Sequence, residues 1–124
     1  MSESKYVRVE QQAGALVVSP LFTFAAFAEP DIAGEWIAVK EQLESPAVKN
    51  VLVDLGQIPY FGSTVLEWMV QMWKRIKAKG GKFATCNASP IGREVLSTAQ
   101  FDKLWGLFNS RDEALQWLRG SPTW

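Results

Sequence analysis

One stretch constrains this chain more than any other, Val51 to Gly81, VLVDLGQIPYFGSTVLEWMVQMWKRIKAKGG. It reads as a buried strand, a turn, a long amphipathic helix and a glycine stop. Val51, Leu52, Val53 and Leu55 form an apolar run broken only by Asp54. A short apolar run of this kind suits a strand covered on both faces. Gly56, Pro59 and Gly62 then break the pattern. Ser63 and Thr64 stand where a helix N-cap is expected, because a hydroxyl oxygen there accepts from a free first-turn N–H. Thr64 and Glu67 also have the spacing of a capping box. Lys74, Arg75, Lys77 and Lys79 fall late in the helix, where cations suit the negative end of its dipole. Gly80 or Gly81 is expected in the left-handed position that ends it.

The helix carries more apolar surface than one contact needs. At about 100° per residue, Val65, Met69, Trp73, Ile76, Leu66 and Val70 spread to one side and Met72 and Trp68 to the other. The arc is roughly 200° wide, twice what a core-facing helix requires. Trp68 sits at its edge. Either it packs against a neighbouring helix, or it stays partly exposed for a partner, as interface aromatics do.

The rest of the chain supplies partners for a strand-plus-helix unit. Tyr6, Arg8 and Glu10 alternate with Val7 and Val9, the period of a half-buried strand. After a turn at Gln11-Gln12-Ala13-Gly14, Ala15-Leu16-Val17-Val18 gives a second strand and a hairpin. Glu29-Pro30-Asp31 opens a helix, with Ile32, Trp36, Val39 and Leu43 as its apolar stripe; Ser45-Pro46 stops it, and the strand Val48 to Leu55 follows. Lys82 to Asn87 reads as a further strand. Ser89 as N-cap and Pro90 at the first position open a short helix. Leu104, Trp105, Leu107 and Phe108 form a short strand candidate, and Ser110 with Glu113 a capping box for a last helix to about Leu118. Residues 120–124 read as a tail. Strands alternating with helices predict a mostly parallel sheet of four to five strands with about four helices packed on it. At 124 residues, one domain is expected, with an ordered core over about 5–119.

Composition excludes several kinds of chemistry. Lysine plus arginine equals aspartate plus glutamate, 13 each, so no net charge draws the chain to nucleic acid or anionic lipid. No apolar run reaches the length of a membrane span, so no membrane insertion is expected. The first five residues lack the apolar core of a signal peptide, and one cysteine builds no internal disulfide; the cytoplasm is the expected location. There is no histidine, which removes Ser-His-Asp and Cys-His catalysis and imidazole metal ligation.

Few residues are left to carry chemistry. Cys86 lies on an apolar strand, where a thiol behaves as a small hydrophobe. Asp54 has no second carboxylate fixed beside it by spacing, and reads as a strand-end acceptor of backbone or hydroxyl hydrogen bonds. Gly80-Gly81 ends a helix, whereas a phosphate-binding loop begins one. The basic run Lys74 to Lys79 reads as a solvated face. Phe22, Phe24 and Phe27 are either core packing in a loop or the lip of an apolar pocket. No enzyme, cofactor or metal site is expected.

The run Asp54-Leu55-Gly56-Gln57-Ile58-Pro59-Tyr60-Phe61-Gly62-Ser63-Thr64-Val65-Leu66 resembles the core motif of STAS domains, the family of bacterial anti-sigma factor antagonists. There a strand leads through an Asp-Ser-Ser/Thr-Gly-Leu turn into a helix. The likeness continues in Gly80-Gly81-Lys82 before a strand, Ser89-Pro90 at a helix start and Ser110-Arg111-Asp112-Glu113-Ala114-Leu115 at the last helix, and covers roughly Val48 to Leu118. Gly62 stands where the family has Asp, and Val65 where it has Gly.

The resemblance implies a STAS-like fold and a regulatory binding module. Its partner would be an anti-sigma factor or a serine-kinase-like protein, docked through Gly62, Ser63, Thr64, Glu67 and Trp68. Ser63 matches the family's phosphorylation site. A phosphate adds about −1.5 to −2 charge, which a helix N-terminus accepts and a partner packed over the same loop does not. Read from the residues alone, Ser63 is a helix cap. The alternative is a STAS-like module without the switch: an apolar-ligand or lipid-transport accessory using Phe22, Phe24 and Phe27, or a stressosome-type scaffold. No nucleic acid partner is expected, and self-association is expected to go no further than a weak homodimer.

Overall fold

The structure, a computed structural model, describes residues 6–12, 14–21 and 30–120. Strands β1 (Val7–Gln12), β2 (Ala15–Pro20), β3 (Asn50–Asp54), β4 (Phe83–Cys86) and β5 (Gly106–Phe108) form one sheet in sequential order. β1 runs antiparallel to β2, as a hairpin requires, and the other three pairings are parallel. Helices α1 (Pro30–Leu43), α2 (Ser63–Ala78), α3 (Pro90–Thr98) and α4 (Arg111–Leu118) complete a mostly parallel α/β fold. A 3₁₀ turn at Phe101–Lys103 had no signal in the sequence.

The period of two along β3 decides what each face touches. Val51, Val53 and Leu55 pack into the larger core with Val39 and Leu43 of α1, Met69 and Ile76 of α2, and Leu96 of α3. Leu52 points the other way, with Val17, Ala84 and Cys86, onto Ala114, Leu115 and Leu118 of α4. β3 is therefore covered on both faces, the condition its apolar run predicted.

The wide apolar arc of α2 is shared among three neighbours. Val65, Met69, Met72 and Ile76 are buried in the core. Trp73 meets Trp105, which stacks on Phe101 and sits edge-on to Phe83. Trp68 stacks on Trp36 of α1, with ring centroids 4.8 Å apart and planes 18° from parallel. Trp68 is only 7% exposed. Of the two readings of Trp68, packing against a neighbouring helix is the one found and partial exposure is corrected, because α1 lies alongside and supplies a second aromatic.

Helix ends follow the local signals with one exception. α2 stops as predicted: Gly80 has φ +82° and donates to Lys77 O, while the Gly81 N–H donates to Ile76 O, a Schellman motif. Ser89 and Ser110 cap α3 and α4, accepting from Gly92 N and Glu113 N. At α2 the N-cap is Gly62, with no side-chain capping bond. Ser63 and Thr64 lie inside the first turn, Thr64 is buried, and no Thr64–Glu67 capping box forms. The basic run is more engaged than a solvated face. Lys79 Nζ donates to the carbonyls of Leu43, Ser45 and Val48, closing the C-terminal end of α1, and Arg75 pairs with Glu44. Phe22, Phe24, Phe27 and residues 121–124 lie outside the described residues.

Candidate functional site

The site is the end of the sheet where β3 and β4 finish and α2, α3 and α4 begin. Its centre is Asp54, the last residue of β3, 7% exposed. One oxygen accepts from Gly56 N at 2.9 Å and from Asn87 Nδ2 at 3.1 Å. The other accepts from Arg111 Nε and Nη2 at 3.1 and 2.9 Å. Arg111 also reaches back to β1, where Nη1 donates to Glu10 at 3.2 Å and Gln12 at 3.3 Å. Burial alone would push the Asp54 carboxyl up. The Gly56 N–H, the Asn87 amide and the Arg111 guanidinium outweigh it and hold the group below its ordinary value. Asp54 thus does accept a backbone bond, as expected, but its charge is matched by a residue 57 positions away. Neither Asn87 nor Arg111 was singled out in the sequence as a partner for it. Asn87 was expected as the last residue of a strand; β4 instead ends at Cys86, and Asn87 takes φ +60°, a conformation asparagine tolerates better than most residues.

Cys86, beside this network, is buried. Burial, and then the Asp54 charge, push its thiol up to about 12, with Arg111 pulling the other way. Burial of this kind favours the neutral thiol, in line with its reading as a small hydrophobe.

The loop from Leu55 to Gly62 is held at several points, so it presents the start of α2 in one place. Gly56 is tied to Asp54; a Cβ there would lie 3.0 Å from the carboxylate oxygen and 3.2 Å from Asn87 Cβ. Ile58 and Phe61 are buried. Ser89 Oγ donates to Pro59 O at 2.6 Å while accepting from Gly92 N, so one hydroxyl caps α3 and pins the loop. Phe61 lies against Gly92, where a Cβ would come within 3.1 Å of its ring.

Ser63 is exposed at the first position of α2. Because Gly62 has no side chain to offer, no N-cap oxygen takes the first-turn N–H groups. Glu67 is exposed one turn on. Of the five residues expected to bind a partner, Ser63 and Glu67 face outward, Gly62 is half-buried, and Thr64 and Trp68 are buried. Thr64, Glu67 and Trp68 nevertheless share a groove of about 190 Å³ with Ile32, Trp36 and Gln71, between α1 and α2. Tyr60 and Ile91, 43% and 60% exposed, stand at the same end of the molecule.

Residues 6–114 match the family model of the STAS domain. An anti-sigma-factor antagonist (STAS) domain protein from Planctomyces limnophilus is 30% identical, with a TM-score of 0.74, over 92% of this chain and 98% of that one. The anti-sigma factor antagonist SpoIIAA in its unphosphorylated form shares the fold, with a TM-score of 0.73 at 15% identity, over 94% and 99% of the two chains. BtrV of Bordetella bronchiseptica, a candidate anti-sigma factor antagonist, is 29% identical over 66 residues, 53% of this chain and 57% of that protein's length. With the family model spanning β1 to the last helix, this chain belongs to the STAS domain family.

Proposed function

We propose that the protein is a non-enzymatic regulatory binding module of the anti-sigma factor antagonist type. It docks on an anti-sigma factor or serine-kinase-like partner through Gly62, Ser63 and Glu67, and phosphorylation of Ser63 releases it. The observation that carries this reading is the placement of Ser63: exposed, first in a 16-residue helix, behind an N-cap that supplies no side-chain acceptor. A phosphate at that point meets the positive end of the α2 dipole and first-turn N–H groups that no cap occupies, so the fold tolerates it. A partner seated over Ser63 does not, because it would have to bury the added charge. The similarity to antagonists of anti-sigma factors supports the partner class. Thr64 and Trp68 act from beneath, shaping the groove rather than offering free side chains. The module would work in the cytoplasm; no helix among the described residues is long and apolar enough to cross a membrane.

The test is phosphate itself. Protein purified from its own cells is digested and analysed by mass spectrometry with the partner gene intact and deleted. Phosphate on Ser63 that disappears with the partner kinase supports the switch. Unmodified Ser63 under every growth condition leaves a binding module without one.

A further inference from the structure

A net charge of zero conceals a segregation of charge along the sheet. The four helices run against the parallel strands, so their C-terminal ends gather where the strands begin. Hydrogen bonds hold the ends of α1, α2 and α4 there: Lys79 reaches Leu43, Ser45 and Val48, Asn50 Nδ2 reaches Leu118 O, and Lys82 Nζ reaches Trp117 O. At this end Arg75 is paired with Glu44, and Lys40 and Lys103 have Glu41 and Asp102 beside them in sequence. Lys49, Lys77, Lys79, Lys82 and Arg119 remain, all exposed, and none of them forms an ion pair with an acid among the described residues. Four helix C-termini, at about half a negative charge each, return roughly two units. The surplus is therefore larger than dipole compensation needs.

Two features of this end select the partner. Its cations are set on loop tips and last turns, and one of them covers an exposed aromatic ring. Trp117 is 40% exposed, with Lys82 Nζ 4.8 Å from its ring centroid, and Leu104 is 46% exposed. Exposed tryptophan and leucine at an end rich in lysine suit the headgroup boundary of a bilayer, where the apolar groups enter and the cations stay with the phosphates. Among the described residues most of the acids lie away from this end, so a neutral chain is oriented by a negative plane instead of drawn to any polyanion.

We propose that this basic end is a docking surface for an anionic lipid bilayer. No helix among the described residues is long and apolar enough to cross a membrane, so the association is peripheral. The surface lies at the opposite end from Ser63, and docking there leaves the candidate partner site facing away from the lipid. The inference stands independently of the phospho-switch.

The experiment is co-sedimentation of the whole chain with vesicles of phosphatidylcholine alone or with about 30 mol% phosphatidylglycerol, at about 50 and about 500 mM salt. The wild type is expected to partition onto the anionic vesicles at low salt only. Each cation is worth about fivefold in partitioning, so the double variant Lys49→Glu/Arg119→Glu should bind at least about twentyfold more weakly. Both residues are exposed, and an unchanged melting temperature shows that the variant is folded. Trp117→Ala should weaken binding without removing its salt dependence. Equal binding to neutral and anionic vesicles, no binding at low salt, a double variant that binds like the wild type, or tighter binding to a DNA duplex at equal phosphate concentration would each overturn the proposal.

Discussion

Arg111, the first residue of α4, donates from Nε and Nη2 to a single carboxylate oxygen of Asp54, the last residue of β3. The pair joins the helix on one sheet face to the strand that feeds the Ser63 loop. Glu10 on β1 shares the same guanidinium, so one side chain ties three elements together.

Removing the guanidinium should therefore cost more than an exposed ion pair does. Arg111→Ala leaves the Asp54 carboxylate, only 10% exposed as a side chain, without its cation. The expected loss is about 1–3 kcal/mol in denaturant unfolding. A loss within about 0.5 kcal/mol, the range of an ordinary surface substitution, would show that Asn87 and Gly56 alone hold Asp54.

The same network sets a pH dependence with a definite sign. The folded state holds the Asp54 carboxyl below its ordinary value, so the unfolded chain binds the proton more readily. Asp54 contributes stability above its unfolded pKa, about 3.9. That contribution fades as pH falls from there through the folded value. Melting temperatures from pH 7 to pH 3 should drop less steeply below about pH 4 in Asp54→Asn than in the wild type. Parallel curves would mean that Asp54 titrates alike folded and unfolded.

Trp68 and Glu67 are neighbours in sequence with opposite expected behaviour. Trp68→Ala removes a buried ring stacked on Trp36 and should cost about 3–5 kcal/mol of stability. Glu67→Ala, on the exposed side, should change stability by less than about 0.5 kcal/mol while weakening partner binding. Chemical denaturation of both variants separates packing from docking.

Two glycines make a similar contrast. A Cβ on Gly81 would run into the Lys49 carbonyl and the Ile76 side chain, so Gly81→Ala should lose about 1–3 kcal/mol. Gly34 lies within α1 with nothing near its missing Cβ, so Gly34→Ala should gain about 0.4–1 kcal/mol. Thermal melts of the two variants should shift in opposite directions.

Local signals carried most of the fold. The Ile32–Trp36–Val39–Leu43 stripe, the Ser89-Pro90 and Ser110 helix starts and the Gly80-Gly81 stop each act within a turn or two of chain, where periodicity and capping chemistry are legible. What was not legible depends on contacts between distant segments. Asp54 and Arg111 are 57 residues apart, and no spacing rule joins them. The width of the α2 arc was readable, but that Trp36 would cover Trp68 depends on where α1 lands. Ser63 and Thr64 were expected to cap α2 on residue preference. The structure caps it with Gly62, because Ser89 and Gly92 fix Pro59 and Phe61 from outside and so place the first turn. The 3₁₀ turn at Phe101–Lys103 follows Gln100 at φ +64°, a conformation that glutamine does not announce.

Charge at Ser63 should control docking without disturbing the fold. The most direct measurement is the affinity of the partner captured from native cells for wild type, Ser63→Ala and Ser63→Glu, each with its melting temperature. Ser63 supplies no cap in this structure, so neither change should lower stability by more than about 0.5 kcal/mol. Ser63→Ala should bind like the unphosphorylated wild type, and Ser63→Glu at least about tenfold more weakly, or about 1.4 kcal/mol. Equal affinity of all three proteins for the partner would contradict the account and reduce Ser63 to an exposed first-turn residue of α2.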